Sequence, residues 1–424
     1  MPYALPCHQR KCFHLLLKWQ VQTVKPWERV VVFHTSQTHV FHVIYISRLH
    51  WENMDSMSIL LIALRGAKIL YVGCGLVGLD FVAAVDAYPK PDEKIRTTSL
   101  KVQGGCNAGN AMTCAARLGL NARLISNVAN DAHGRLILEE LKADGVDISF
   151  FHVSEEGNSA FSYVLADSQT KTRTCITTLG HPPISADDRF KRKLASALDG
   201  AEFVYIEGGS HEAALVTAQE AAVKNIPVLV DAERKGEGLE DQLQLATYVV
   251  CSAEFPQEWT GAPSVSNALV AMLVAFPRLK FAMVTLGENG CVMLERVTDE
   301  IPQTDEVDVE QLLESLKRNI DESLVIPTCA SSPVANVSAN GIGTVSGRLL
   351  LGTAEKIPPS ELVDTTGAGD AFIGAVLYAL CEGMAAEKML PFASQVAAIN
   401  CRALGARASL PRITDPRLAC FLGQ

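Results

Sequence analysis

Val363-Asp364-Thr365-Thr366-Gly367-Ala368-Gly369-Asp370-Ala371-Phe372 reads as a turn that tips directly into a helix. From Ala371 to Leu380 the residues are apolar almost all round, as in a helix buried on every side. Ahead of it, Gly367 and Gly369 remove the side chains that would keep a ligand off the backbone. The unpaired N–H groups of a helix N-terminus and the helix dipole favour an anion there. Two carboxylates, Asp364 and Asp370, bracket that positive turn. An anion site beside a base suits phosphoryl transfer: glycine N–H groups would steady the moving phosphoryl while Asp370 takes a proton from the attacking hydroxyl. A simple helix cap explains the same Thr, Asp and Gly residues less ambitiously.

Working outward, the 424 residues (48% hydrophobic, 20% charged) are ample for one large α/β domain or two ordinary ones. A net charge of −10 and a pI near 5.5 argue against nucleic acid as the main partner. The apolar run Ile59 to Leu64 is far too short to span a bilayer, so no membrane partner is expected. The 12 cysteines never form C-x-x-C, and several sit inside apolar runs. That usage suits a reduced intracellular setting, the cytoplasm before a plastid or other organelle.

Residues 1–66 differ from the rest: they hold six of the ten histidines and show no clear helical period. An unstructured extension is the expectation, with Met54 or Met57 as alternative starting points. The folded part, residues 67–424, opens on the strand-like run Ala67 to Val72. Gly73-Cys74-Gly75-Leu76-Val77-Gly78 then matches the dinucleotide pattern G-x-G-x-x-G, but Tyr88-Pro89-Lys90-Pro91 leaves little room for the helix such a site needs. The alternative is a tight turn presenting Asp80 to sugar hydroxyls. Gly104-Gly105-Cys106-Asn107-Ala108-Gly109-Asn110 precedes a helix, and its two asparagines can each donate and accept, as polyol recognition needs.

Strands and helices alternate thereafter, which implies a mostly parallel sheet covered on both faces, with ligands at its carboxyl ends. Asp231, Glu233 and Glu254 lie just past such ends, where acids can hold Mg²⁺. Thr285-Leu286-Gly287-Glu288-Asn289-Gly290 ends another strand, either beside a nucleotide or as a plain hairpin turn. About 297–345 reads as an acidic insertion with one helix near Val309 to Lys317 and flexible loop elsewhere. In the last helix, Asn400 and the following Gly405 are candidates to face a purine, with core packing as the alternative.

VDTTGAGDAF closely resembles the C-terminal signature of the PfkB (ribokinase-like) carbohydrate kinases. Leu79-Asp80, Val85-Asp86-Ala87-Tyr88-Pro89, Asn107-Ala108-Gly109-Asn110 and Tyr205-Ile206-Glu207-Gly208 are similar to the ketohexokinase branch and its plant relatives. The resemblance implies a three-layer αβα sandwich with a small β-sheet lid, built from about 86–104 and 158–180. It implies ATP and Mg²⁺ as cofactors and leaves a monovalent cation such as K⁺ open. It places Asp80, Gly105, Asn107 and Asn110 on the sugar, and makes Gly367, Ala368 and Gly369 an anion hole with Asp370 as base. Asp92 and Arg173 match lid residues, the first reaching across a lid-paired homodimer and the second near the transferred phosphate. Thr285, Gly287, Gly290, Asn400 and Gly405 would line the ATP site, and Glu254 and Asp364 would serve the metal. The expected acceptor is a ketohexose, with ribose or a nucleoside second; a non-catalytic binding protein on the same scaffold is the reading of another class. Cys106 departs from the pattern, standing where relatives carry a second glycine.

Overall fold

The computed structural model describes residues 70–208, 212–298 and 306–422, and the backbone of three earlier strands. Those strands, Lys18–Lys25, Glu28–His34 and Phe41–Ser47, form an antiparallel sheet within a unit of their own. An unstructured extension is the expectation there; short runs of β-branched and aromatic residues, Val30 to Phe33 and Val43 to Ile46, are the pattern that permits strands.

The second unit, Ile69–Gln424, is built on a twisted sheet. Strands Asn121–Ile125, Leu70–Cys74, Ala201–Glu207, Val228–Ala232, Tyr248–Cys251 and Phe281–Thr285 run parallel in that spatial order. Cys291–Arg296, Gly343–Gly352 and Ala335–Ala339 extend it antiparallel. Alternate residues feed opposite faces: Tyr71, Leu124 and Tyr205 enter one core, while Val72, Ile125 and Val204 enter the other. Helices cover both faces, which gives the three layers. The chain leaves Leu70–Cys74 for its neighbours on either side, so the crevice at the carboxyl ends of this strand and Ala201–Glu207 is a topological switch point.

Gly78 starts a strand, not a helix, which removes the dinucleotide reading. It also corrects the turn expected around Asp80: Gly78–Val85 pairs with Ser99–Gly105 on one side and Phe161–Asp167 on the other, and Arg173–Thr178 completes a four-stranded lid. The period of two puts Asp80, Gln103 and Ser162 on the lid's inner face. Phe81, Val102, Tyr163 and Ile176 take the outer face, where Tyr163 and Ile176 are more than half exposed. The acidic insertion has its expected helix at Val309–Arg318, but strands Cys329–Ser331, Ala335–Ala339 and Gly343–Gly352 replace the loop foreseen there. Among the described residues, no helix is long and apolar enough to cross a membrane.

Candidate active site

Two helices set the site. Asn107–Arg117 follows the lid strand Ser99–Gly105, and Ala368–Cys381 follows the turn Thr365–Gly367. They pack so closely that a Cβ on Gly374 would stand 2.5 Å from Cys114 Cβ. One turn nearer the N-terminus on each helix, the same faces present Asn110 and Asp370. Asn110 Nδ2 donates to Asp370 Oδ2 at 2.8 Å. Both N-termini therefore point the same way, at the mouth of the crevice.

Gly367 has φ +75°, and a Cβ there would lie 2.5 Å from Ala406 Cβ, so both backbone and space require glycine. Ala368 spends its N–H on Thr365 O at 3.2 Å, which removes it from the expected cradle. Among the described residues, the N–H groups of Gly369 and Asp370 have no protein acceptor, and Gly369 is exposed. These two donors and the helix dipole favour an anion at this turn. Burial pushes the half-buried Asp370 carboxyl up to about 7; Asn110 and Arg173 oppose the shift, and Glu233 and Asp80 add to it. A carboxyl poised near neutrality beside an anion site has the properties of a general base.

Asp80 is buried, and its carboxyl is raised to about 6 by burial, with Arg407 and Ser162 pulling it down. A Cβ on Gly105 would overlap the Asp80 carboxyl, so that glycine makes room for the acid. Asn107 Nδ2 donates to Glu233 Oε2 at 3.2 Å. Arg173 Nη1 reaches from the lid to Thr365 Oγ1 at 3.0 Å, joining lid and anion turn. Thus Asp80, Gly105, Asn107, Asn110, Arg173 and Asp370 converge. Asp92 does not join them; it is exposed, with φ +63°, in the connection between two lid strands.

Several expected roles change. Asp364 is buried and its oxygens accept from Thr366 N (2.9 Å), Thr366 Oγ1 (2.7 Å) and Gly405 N (2.8 Å), so it braces the turn. Both of its carboxyl oxygens are thereby engaged within the protein. Asn400 is fully buried and its Nδ2 donates to Thr366 O at 2.9 Å, which ties it to the turn. Gly405 is the backbone partner of Asp364 and is likewise structural. Thr285, Gly287 and Gly290 form the connection between the antiparallel strands Phe281–Thr285 and Cys291–Arg296, closed by Leu286 N to Gly290 O at 2.7 Å. A hairpin explains these glycines. Glu254 is exposed at the start of the short helix Phe255–Thr260.

Two site residues escaped the sequence reading of roles. Glu207 ends its strand at the crevice, accepts from Leu76 N (2.6 Å) and Ala108 N (3.3 Å), and is pushed up to about 8 by burial. Its position just past an apolar strand was the available signal. Arg407 lies in irregular C-terminal chain and gave none.

Cys106 adopts φ +65°, ψ 152°, a region that essentially only glycine occupies at low cost. Cys106→Gly is expected to stabilise the fold by about 1 kcal/mol, strain relief outweighing the greater freedom of the unfolded chain. A urea midpoint that rises with unchanged slope checks this; a fall would mean that sulfur packing outweighs the strain.

The pfkB family carbohydrate kinase model matches residues 70–310 and 301–413, and the chain belongs to that family. It is a carbohydrate kinase, a phosphotransferase acting on an alcohol group. Mouse ribokinase is 23% identical over 371 residues, covering 84% of this chain and 96% of the relative. Mouse ketohexokinase is 25% identical over 338 residues, covering 77% and 94%. The structure of Arabidopsis thaliana ribokinase complexed with ribose and ATP shares the fold, with a TM-score of 0.60 at 20% identity, over 84% of this chain and 99% of that one.

Proposed function

We propose that this protein transfers the γ-phosphoryl of ATP to a hydroxyl of an uncharged monosaccharide held between Asp80 and Asp370. The observation that carries this reading is the Asn110–Asp370 bond, which joins the sugar-facing helix to the base at the anion turn. Asp370 takes the acceptor proton, and the Gly369 and Asp370 N–H groups balance charge on the phosphoryl in flight. Arg173, held at Thr365, adds a cation from the lid. Bound Mg²⁺ would spread the charge of the ATP phosphates. Among the described residues there is no cluster of three or more metal-ligating side chains. That suits an ion which keeps waters and takes one or two carboxylates beside the phosphates. Glu233 and Glu254, exposed just past adjacent parallel strands, are the available carboxylates.

Ribose is the first acceptor in this reading, because the ribokinase match spans more of the chain than the ketohexokinase match; a ketohexose is second. Asp80, Glu233 and Asp370 bring carboxylates to the crevice, and like charges brought together cost several kcal/mol. ADP release should therefore be measured with ribose, fructose, inosine and a sugar phosphate as acceptors. The expected result is turnover with a neutral sugar, and kcat/KM at least about 100-fold lower for the sugar phosphate. Turnover preferring the sugar phosphate would sink the acceptor class, and none above the acceptor-free rate would sink the transfer itself.

A further inference from the structure

Arg407 is 3% exposed, yet it belongs to neither helix of the site. Its guanidinium occupies a slot kept open by Gly104 and Gly109, since a Cβ at either position would overlap it. Arg117 Nη1 fixes its carbonyl at 2.7 Å. From that slot, Arg407 Nε donates to Asn110 Oδ1 at 2.8 Å, and Nη2 donates to Gly105 O at 3.0 Å. Among the described residues Nη1 makes no hydrogen bond; Glu140 Oε2 lies 3.9 Å from it, and Asp80 and Asp144 act on the guanidinium from farther off. A buried cation with an unmatched N–H is costly to keep, so stability is a poor account of it.

The arrangement has a directional consequence. Guanidinium nitrogens only donate, so Asn110 must turn its oxygen to Arg407 and its NH₂ to Asp370. That NH₂ engages Asp370 Oδ2 and leaves Oδ1 for an incoming hydroxyl. A flipped amide would set an oxygen against the carboxylate. We propose that Arg407 is a positioning residue, which locks the Asn110 amide so that Asp370 offers one defined oxygen to the acceptor. Its second bond, to Gly105 O, holds the backbone against which Asp80 rests. This inference rests on the kinase reading above.

The test is a cycle of Arg407→Met, Asn110→Ala and the double variant, read in kcat with the acceptor that the wild type turns over. A misaligned base costs on the order of 10²-fold, so Arg407→Met should lower kcat by about 10- to 100-fold with the KM for ATP unchanged. In the Asn110→Ala background the same change should leave kcat within about twofold, because the residue it acts through is gone. Urea unfolding of each variant separates loss of fold from loss of alignment. Should Arg407→Met not fold, Arg407→Lys carries the cycle, since it keeps the buried charge while giving up one of the two bonds. Equal losses in both backgrounds, or an unchanged kcat beside a lowered unfolding midpoint, would overturn the proposal and leave the kinase reading intact. A wild type without acceptor-dependent ADP release would instead overturn that reading, and this inference with it.

Discussion

Asp370→Asn is expected to lower kcat by about 10³-fold or more, with the fold retained, in line with the loss of a general base. The amide keeps the size of the carboxyl and can still meet Asn110, but it has no basic oxygen to take the acceptor proton. The wild-type pH profile should carry the same signature. Burial raises the Asp370 carboxyl to about 7, so below that pH the group is protonated and cannot act as base. The log of kcat/KM should therefore rise with unit slope up to about pH 7 and level off above it, and Asp370→Asn should abolish that limb. Activity flat from pH 5 to 8, or a variant that keeps a tenth of wild-type kcat, would remove Asp370 from the chemistry.

What could be read in advance was whatever depends on local backbone chemistry. Gly367 had to be glycine for a turn with φ +75°, and the apolar run from Ala371 had to be a buried helix; both show in single residues. The parallel strands were legible because burial on both faces leaves continuous apolar runs such as Val228 to Val230. Roles that depend on what a side chain meets across the fold were not legible. Asn400 sits on a helix whose residues are nearly all buried, so no pattern tells a face toward a ligand from a face toward Thr366. Asp80 was read as presented by a turn because Gly73 to Gly78 match a familiar motif, whereas it lies on the strand Gly78–Val85, one of whose two partners, Phe161–Asp167, lies far along the chain. Arg407 is the extreme case, since its partners Gly105 and Asn110 are about 300 residues away and nothing local marks it.

Gly367→Ala and Gly369→Ala, compared side by side, separate the frame of the anion turn from its working surface. At Gly367 an alanine must hold φ +75°, which costs on the order of 1–2 kcal/mol for a residue with a Cβ. It must also press that Cβ against Ala406, whose Cβ stands at 2.5 Å and whose Cα stands at 2.8 Å. Neither neighbour is a flexible chain end, so the turn itself has to move, and the Gly369 and Asp370 N–H groups move with it. The expected outcome is a lower unfolding midpoint together with a loss of about 10²- to 10³-fold in kcat, the scale of losing an aligned donor at developing charge. Gly369 is the opposite case: a Cβ there meets nothing within 4 Å, so the fold has no reason to suffer. That empty space is where the phosphoryl group must pass if the exposed N–H groups are its cradle. Gly369→Ala should therefore unfold like the wild type while losing at least about tenfold in kcat/KM. A fully active Gly369→Ala would mean that the phosphoryl does not cross this backbone, and the anion site would have to be sought elsewhere along the crevice.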